Sequence, residues 1–323
     1  MGLLITVFAL LSGINDGGNL VGTYLSGSSV RPRLILCGLF LSMVVGPFLF
    51  GTRVSHTIAV EIVNFEHVSS WVLMMALFSA IATLSMTWLM KIPTSVTLAL
   101  TGGMVGSAIA TGDARWISWH GIVKVLVGLM GSVSMGFCVA FLFTTLVWRL
   151  LRRRPGFGRS AAKLQYVTVV VQGLAYGAND QEKVIGLAAL WMMMVTHGHT
   201  YVVRWPAVVA PWVVWVAGLF IGGLHIAKTV NGHVFRLRGP EAVTTQGAAA
   251  VTVSIAALLG FPVSTTQTTD GSLFGTGTAL NPYRVRWRTV ASFLKVWVWT
   301  LPVSVGVAFF ATLAARRLFP GIG

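Results

Sequence analysis

Five apolar runs, at residues 34–52, 68–90, 120–148, 207–227 and 289–315, are each about long enough to cross a bilayer, because the hydrocarbon core calls for roughly 20 helical residues at 1.5 Å each. That feature leaves few folds open. Backbone N–H and C=O groups find no water within lipid, so a chain with several such runs must satisfy them inside helices. Composition agrees with this reading: 55% of residues are hydrophobic, only 10% are charged and the mean hydropathy is +0.80. A soluble domain of 323 residues has too few charges here to cover so much apolar surface. The run that starts at Met1 has no basic flank and no cleavage pattern, and it reads as a first span and not as a removed leader.

The net charge of +15 invites a nucleic-acid reading, and the position of the charges argues against it. Arg149, Arg152, Arg153, Arg154, Arg159 and Lys163 crowd one linker, and Arg31/Arg33, Lys228/Arg236/Arg238 and Arg284/Arg286/Arg288 sit at loop ends. Lys and Arg at such ends orient a membrane protein toward the cytoplasm. Placing residues 149–163 inside threads five apolar elements through each half, with both termini outside. The outer loops then hold the weak mixed set Arg53, Glu61, Glu66, Asp113 and Arg115. Five is odd, so residues 1–148 and 164–323 are expected to form two repeats of opposite orientation, joined by a basic cytoplasmic linker. Cys37 and Cys138, inside apolar runs and far from any CxxC, read as small buried hydrophobes.

Two short patterns occur once in each half. Gly13-Ile14-Asn15-Asp16 returns as Gly177-Ala178-Asn179-Asp180, followed at equal distance by Gly22 and Gly186. Pro93-Thr94-Ser95-Val96-Thr97 returns as Pro262-Val263-Ser264-Thr265-Thr266, with Gly102 and Gly106 matched by Gly271 and Gly275. Of only eight acidic residues, Asp16, Asp180, Glu182 and Asp270 fall in apolar segments. A carboxylate at membrane depth costs about 2.5–3.5 kcal/mol, so it needs a partner or a task. Lys183 beside Asp180 and Glu182 offers a local ion pair.

Gly-x-Asn-Asp in mid-span suits a helix break, since glycine tolerates unusual dihedrals and Asn and Asp bond local backbone. Freed carbonyls with Asn15, Asp16, Asn179 and Asp180 make an all-oxygen set for a hard cation such as Na⁺, or titrating carboxylates for proton coupling. Pro-x-Ser-x-Thr suits a helix start, with proline in the first turn and hydroxyl caps. A helix start offers free N–H groups and a positive dipole end to an oxyanion. Ser95, Thr97, Ser264, Thr265 and Thr266, with Thr94 as a weaker addition, are the candidate anion ligands. Lys183 is available to offset anionic charge, and Glu182 and Asp270 to tune coupling. His197 and His199 read as part of an ordinary solvated loop.

These four motifs, in this order, resemble the inorganic phosphate transporter (PiT) family over most of the chain. Gly13-Ile14-Asn15-Asp16-Gly17-Gly18-Asn19 is similar to its first signature, and Gly177 to Gly186 to its second, Lys183 included. The resemblance implies an all-α inverted-repeat symporter in the plasma membrane. It would carry inorganic phosphate with Na⁺ or H⁺, work by alternating access without a cofactor, and assemble as a homodimer. Leu98 and Gln267 stand where many bacterial relatives have histidine, Asp270 where Thr is common and Glu182 where Gln is common. A sulfate transporter of the same fold and an anion channel are the rival readings. A lipid-phosphate enzyme would need a nucleophile with a nearby base, and no His or Cys accompanies the paired motifs.

Overall fold

The computed structural model describes residues 1–26, 31–64, 70–90, 94–112, 114–153, 155–196, 201–203, 205–230, 237 and 239–318. Glu66, Pro93, Asp113, Arg154, His197, His199, Arg236 and Arg238 lie outside them. The chain is built from helices α1 (Gly2–Ser26), α2 (Pro32–Phe50), α3 (Arg53–His56), α4 (Ser70–Leu89), α5 (Val96–Thr111), α6 (Trp119–Leu151), α7 (Phe157–Tyr176), α8 (Glu182–Val195), α9 (Trp205–Val230), α10 (Gly239–Leu258), α11 (Thr265–Leu280) and α12 (Trp287–Leu318). Single π-helical turns follow α3 (Thr57–Glu61) and α7 (Gly177–Gln181). No strand occurs among the described residues.

The protein is a multi-pass, all-α membrane protein. Helices α2, α4, α6 and α12 each contain a stretch long and apolar enough to cross a bilayer. Only 22% of the α12 stretch is buried within the chain, and Leu294, Val298, Trp299 and Phe310 point outward. An apolar exterior of this kind is satisfied by lipid. Cys37 and Cys138 also lie exposed, contrary to the buried positions expected of them. Lipid is as apolar a surrounding as a core, so the hydropathy of their runs could not tell the two apart.

Helices α5 and α11 are different. Each has 16 residues, about 24 Å at 1.5 Å per residue, short of a full crossing. All of α5 is buried except Ile109 and Thr111, and α11 is buried from Thr265 to Gly277. Protein therefore covers the non-helical backbone that leads into both, as such backbone requires at membrane depth.

Glycines decide how closely the helices approach. Helix α1 lies on α9, α7 on α2, α5 on α12 and α11 on α6. A Cβ on Gly13 or Gly17 would overlap the Trp215 and Leu219 backbone, and one on Gly218 or Gly222 would overlap Leu10 and Ile14. Both helices thus carry glycines four apart at their contact, the small-xxx-small geometry of membrane helix pairs. The matched glycines of the second motif work in the same way. Gly102 and Gly106 face the Leu301 and Val305 backbone, and Gly271 and Gly275 face Val133 and Phe137. Gly222→Leu is expected to separate α1 from α9 at a penalty of several kcal/mol, beyond the usual 1–3 kcal/mol of overpacking because backbone is the obstacle. Size-exclusion chromatography in detergent should show loss of the monodisperse species.

The expected helix breaks also change. Helix α1 runs unbroken through Gly13-Ile14-Asn15-Asp16, and the second copy forms a π turn instead of a break. The Asn and Asp side chains bond neighbouring elements and leave their own backbone to the helix, while the π turn aims side chains by widening one turn. Within residues 149–163, α6 extends to Leu151 and α7 begins at Phe157.

Candidate functional site

Ser95 and Ser264 stand at the starts of α5 and α11 in nearly the same conformation, φ −93°, ψ 115° and φ −94°, ψ 109°. Each is the N-cap: Ser95 Oγ accepts from Leu98 N at 3.2 Å and Ser264 Oγ from Gln267 N at 3.3 Å. Pro262 precedes the cap by two residues and sits outside the first turn where the motif suggested it, so it fixes the extended approach to the helix. The backbone N–H groups of Val96, Thr97, Thr265 and Thr266 belong to first turns and have no acceptor within their own helix. Thr97 Oγ1 donates to Val263 O at 3.1 Å, which brings the two starts together. Two positive dipole ends therefore converge on one region.

The Asn-Asp pairs reach that region from α1 and the π turn. Asn15 Nδ2 donates to Thr94 O at 2.9 Å, and Asn179 Nδ2 donates to Phe261 O at 3.1 Å. Each asparagine thus ties its own element to a carbonyl just ahead of a capped helix. Both aspartates are held by α11: Thr266 Oγ1 donates to Asp16 Oδ1 at 3.2 Å and Thr265 Oγ1 to Asp180 Oδ2 at 2.6 Å. Asn15 Nδ2 also donates to Asp16 Oδ1 at 3.2 Å.

The charges are unevenly matched. Asp16, Asp180, Glu182, Lys183 and Asp270 are all at most 4% exposed. Lys183 Nζ bonds Asp180 Oδ1 at 2.6 Å and Val263 O at 2.9 Å, so the local ion pair joins Lys183 to Asp180. Glu182 turns the other way. Its Oε2 accepts from Val54 N at 3.0 Å and Ser55 N at 3.1 Å, at the start of α3. Asp16 has no basic partner at ion-pair distance among the described residues. Asp16 Oδ2 and Asn179 Oδ1 are buried oxygens without a hydrogen-bond partner among them. Such atoms are rare in folded proteins and call for a ligand, an ion or water. Asp270 lies on α11 one turn beyond Thr266, on the same face.

The donor set is all oxygen. No group of three His, Cys, Asp or Glu side chains able to hold a metal occurs among the described residues. Carboxylate, amide and carbonyl oxygens suit a hard cation, and free helix N–H groups suit an oxyanion. The geometry therefore offers opposite ligands side by side. Thr94 Oγ1 is engaged by Thr300 Oγ1 at 2.8 Å, so it is tied to α12 and not to either aspartate. Sequence reasoning missed Thr300, because α12 reads as one continuous apolar run. It also missed Tyr176, whose hydroxyl donates to Thr265 O at 3.1 Å and pairs with Thr269 Oγ1. The only available signal was its place directly ahead of Gly177.

Comparison with known proteins adds to this geometry. The profile of the phosphate transporter family matches residues 12–161 and 157–308. A probable low-affinity inorganic phosphate transporter of Rhizobium meliloti is 29% identical over 314 residues, covering 95% of this chain and 93% of the relative. A protein of the same description from Bacillus subtilis is 28% identical over 324 residues, covering 97% and 95%. The fold is similar to that of a solved sodium-dependent phosphate transporter, with a TM-score of 0.86, 19% identity and 98% of each chain covered.

Proposed function

The chain belongs to the phosphate transporter family, and from that membership we propose that it is a secondary transporter carrying inorganic phosphate with Na⁺ across the plasma membrane. The observation that carries this reading is the meeting of both aspartates with the start of α11, beside the start of α5. In this reading Asn15, Asp16, Asn179 and Asp180 hold the cation. The N–H groups of the two helix starts, with Ser95, Thr97, Ser264, Thr265, Thr266 and more weakly Thr94, hold phosphate.

The hydrogen bonds suggest how the two ions are coupled. Thr265 and Thr266 give their hydroxyl protons to Asp180 and Asp16. A cation taking over those carboxylate oxygens releases both hydroxyls to donate to a phosphate oxygen. It also removes the negative charge that opposes an anion there. Na⁺ is favoured over a proton because Asn179 Oδ1, one of the unpaired oxygens, does not protonate at physiological pH, whereas a bound cation satisfies it together with Asp16. Lys183 then balances charge through Asp180 and acts on phosphate at one remove.

Alternating access is assigned to two inverted repeats, 1–148 and 164–323, joined by the basic segment 149–163. The packing supports this by exchange: α1 on α9 is answered by α7 on α2, and α5 on α12 by α11 on α6. The basic loop ends support a cytoplasmic linker with both termini outside, and a homodimer completes the reading. Substrate identity is tested by competition during uptake of labelled phosphate into proteoliposomes. Excess cold phosphate is expected to abolish uptake and excess sulfate to leave most of it. Equal inhibition by the two anions would move the assignment to a sulfate carrier of the same fold.

A further inference from the structure

Helix α7 carries a second polar line that the central site does not use. Gln165, Thr168 and Gln172 fall at i, i+3 and i+7, one face of the helix, and Tyr176 continues it toward Asn179. Gln165 and Gln172 are 0% exposed, as is Gln246 of α10. Thr168 Oγ1 donates to Gln246 Oε1 at 3.0 Å, and the Tyr24 hydroxyl of α1 donates to Gln172 Oε1 at 2.6 Å. Buried polar groups thus run from the central site toward the end of the bundle where α6 passes into α7. Gln172 lies seven residues, about 10 Å, from Asn179.

The leftover donors carry the argument. Nε2 of Gln172, Nε2 of Gln246 and both side-chain polar atoms of Gln165 have no hydrogen-bond partner among the described residues. Each such buried group left unmade costs about 1–3 kcal/mol, and four such atoms lie along this one α7–α10 line. The other half of the chain lacks the feature. At the offset of the first motif, 179 − 15 = 164, Thr168 corresponds to Leu4 and Gln172 to Phe8, so the matching face of α1 is apolar. Neutral amide donors suit an oxyanion that must leave again, since they offer hydrogen bonds without an ion pair.

We propose that Gln165, Gln172 and Gln246 form a second, weaker phosphate station between the central site and the α6–α7 end of the bundle, on the release side during uptake. The proposal rests on the phosphate-transport reading. The test uses the full chain carrying Gln172→Leu or Gln246→Leu, with inorganic phosphate as the probe. Binding is measured on solubilised protein and uptake against phosphate concentration in proteoliposomes. Half-saturating phosphate and binding are expected to stay within about threefold of the parent, while the maximal rate falls about tenfold, as for one hydrogen bond lost on the rate-setting path. Gln172→Asn and Gln246→Asn, which keep an amide, should regain part of the rate. Maximal rates within about twofold of the parent in both Leu variants would overturn the station. Loss of binding together with uptake in a monodisperse variant would also overturn it, by assigning these residues to the central site. If the Leu variants aggregate, the isosteric Gln172→Glu and Gln246→Glu carry the same readouts, and unchanged maximal rates there overturn the station equally. Failure of the transport reading is separate and visible first, as an unmodified protein that neither binds nor moves phosphate.

Discussion

Asp16→Asn is expected to reduce cation-driven phosphate uptake by about a hundredfold or more while the protein stays folded in detergent, a barrier increase of roughly 3 kcal/mol. The substitution keeps the shape of the side chain, and Asn can still accept from Thr266 Oγ1. It removes a buried carboxylate that has no basic partner at ion-pair distance among the described residues. An unpaired buried charge destabilises a membrane protein, so its removal should leave thermal stability unchanged or slightly raised. Uptake and the melting temperature, measured on one preparation, separate the two effects. A variant that transports normally would remove Asp16 from the cation site.

Asp180→Asn is expected to abolish uptake as well, but with a different companion effect. Its carboxylate holds Lys183 Nζ at 2.6 Å, and Lys183 is 2% exposed. Breaking such a pair leaves a buried ammonium uncompensated, which is worth about 3–5 kcal/mol of stability. The single variant should therefore lose both transport and several degrees of melting temperature. Adding Lys183→Met removes the stranded charge, and the double variant should recover most of the stability and none of the transport. Recovery of transport in the double variant would mean that the pair is structural and that the cation is held elsewhere.

The residues of the candidate site were legible because each polar motif sits where lipid makes polarity expensive. Recurrence of Asn-Asp and of Pro-x-Ser-x-Thr picked out both capped helices and both aspartates. What the sequence could not give was direction. Whether Gly13-Ile14-Asn15-Asp16 breaks its helix depends on where Asn15 finds a partner, and that partner, Thr94 O, lies 79 residues away. Glu182 and Lys183 are neighbours in sequence, yet successive helical residues face apart, so one serves Asp180 and the other the start of α3. The matched glycines were visible as spacing, but their reason, the backbone of α12 and α6, appears only in packing. Exposure of Cys37 and Cys138 was hidden for the opposite reason, since hydropathy reads lipid and core alike.

In this mechanism phosphate moves only with a cation bound at the paired Asn-Asp motifs. The most direct test is labelled phosphate uptake into proteoliposomes under an imposed Na⁺ gradient, an imposed pH gradient, or neither. Accumulation is expected with the Na⁺ gradient alone, and it should be lost in Asp16→Asn. Equal phosphate entry without any gradient would contradict it in favour of a channel, and accumulation driven only by the pH gradient would contradict the assignment of Na⁺.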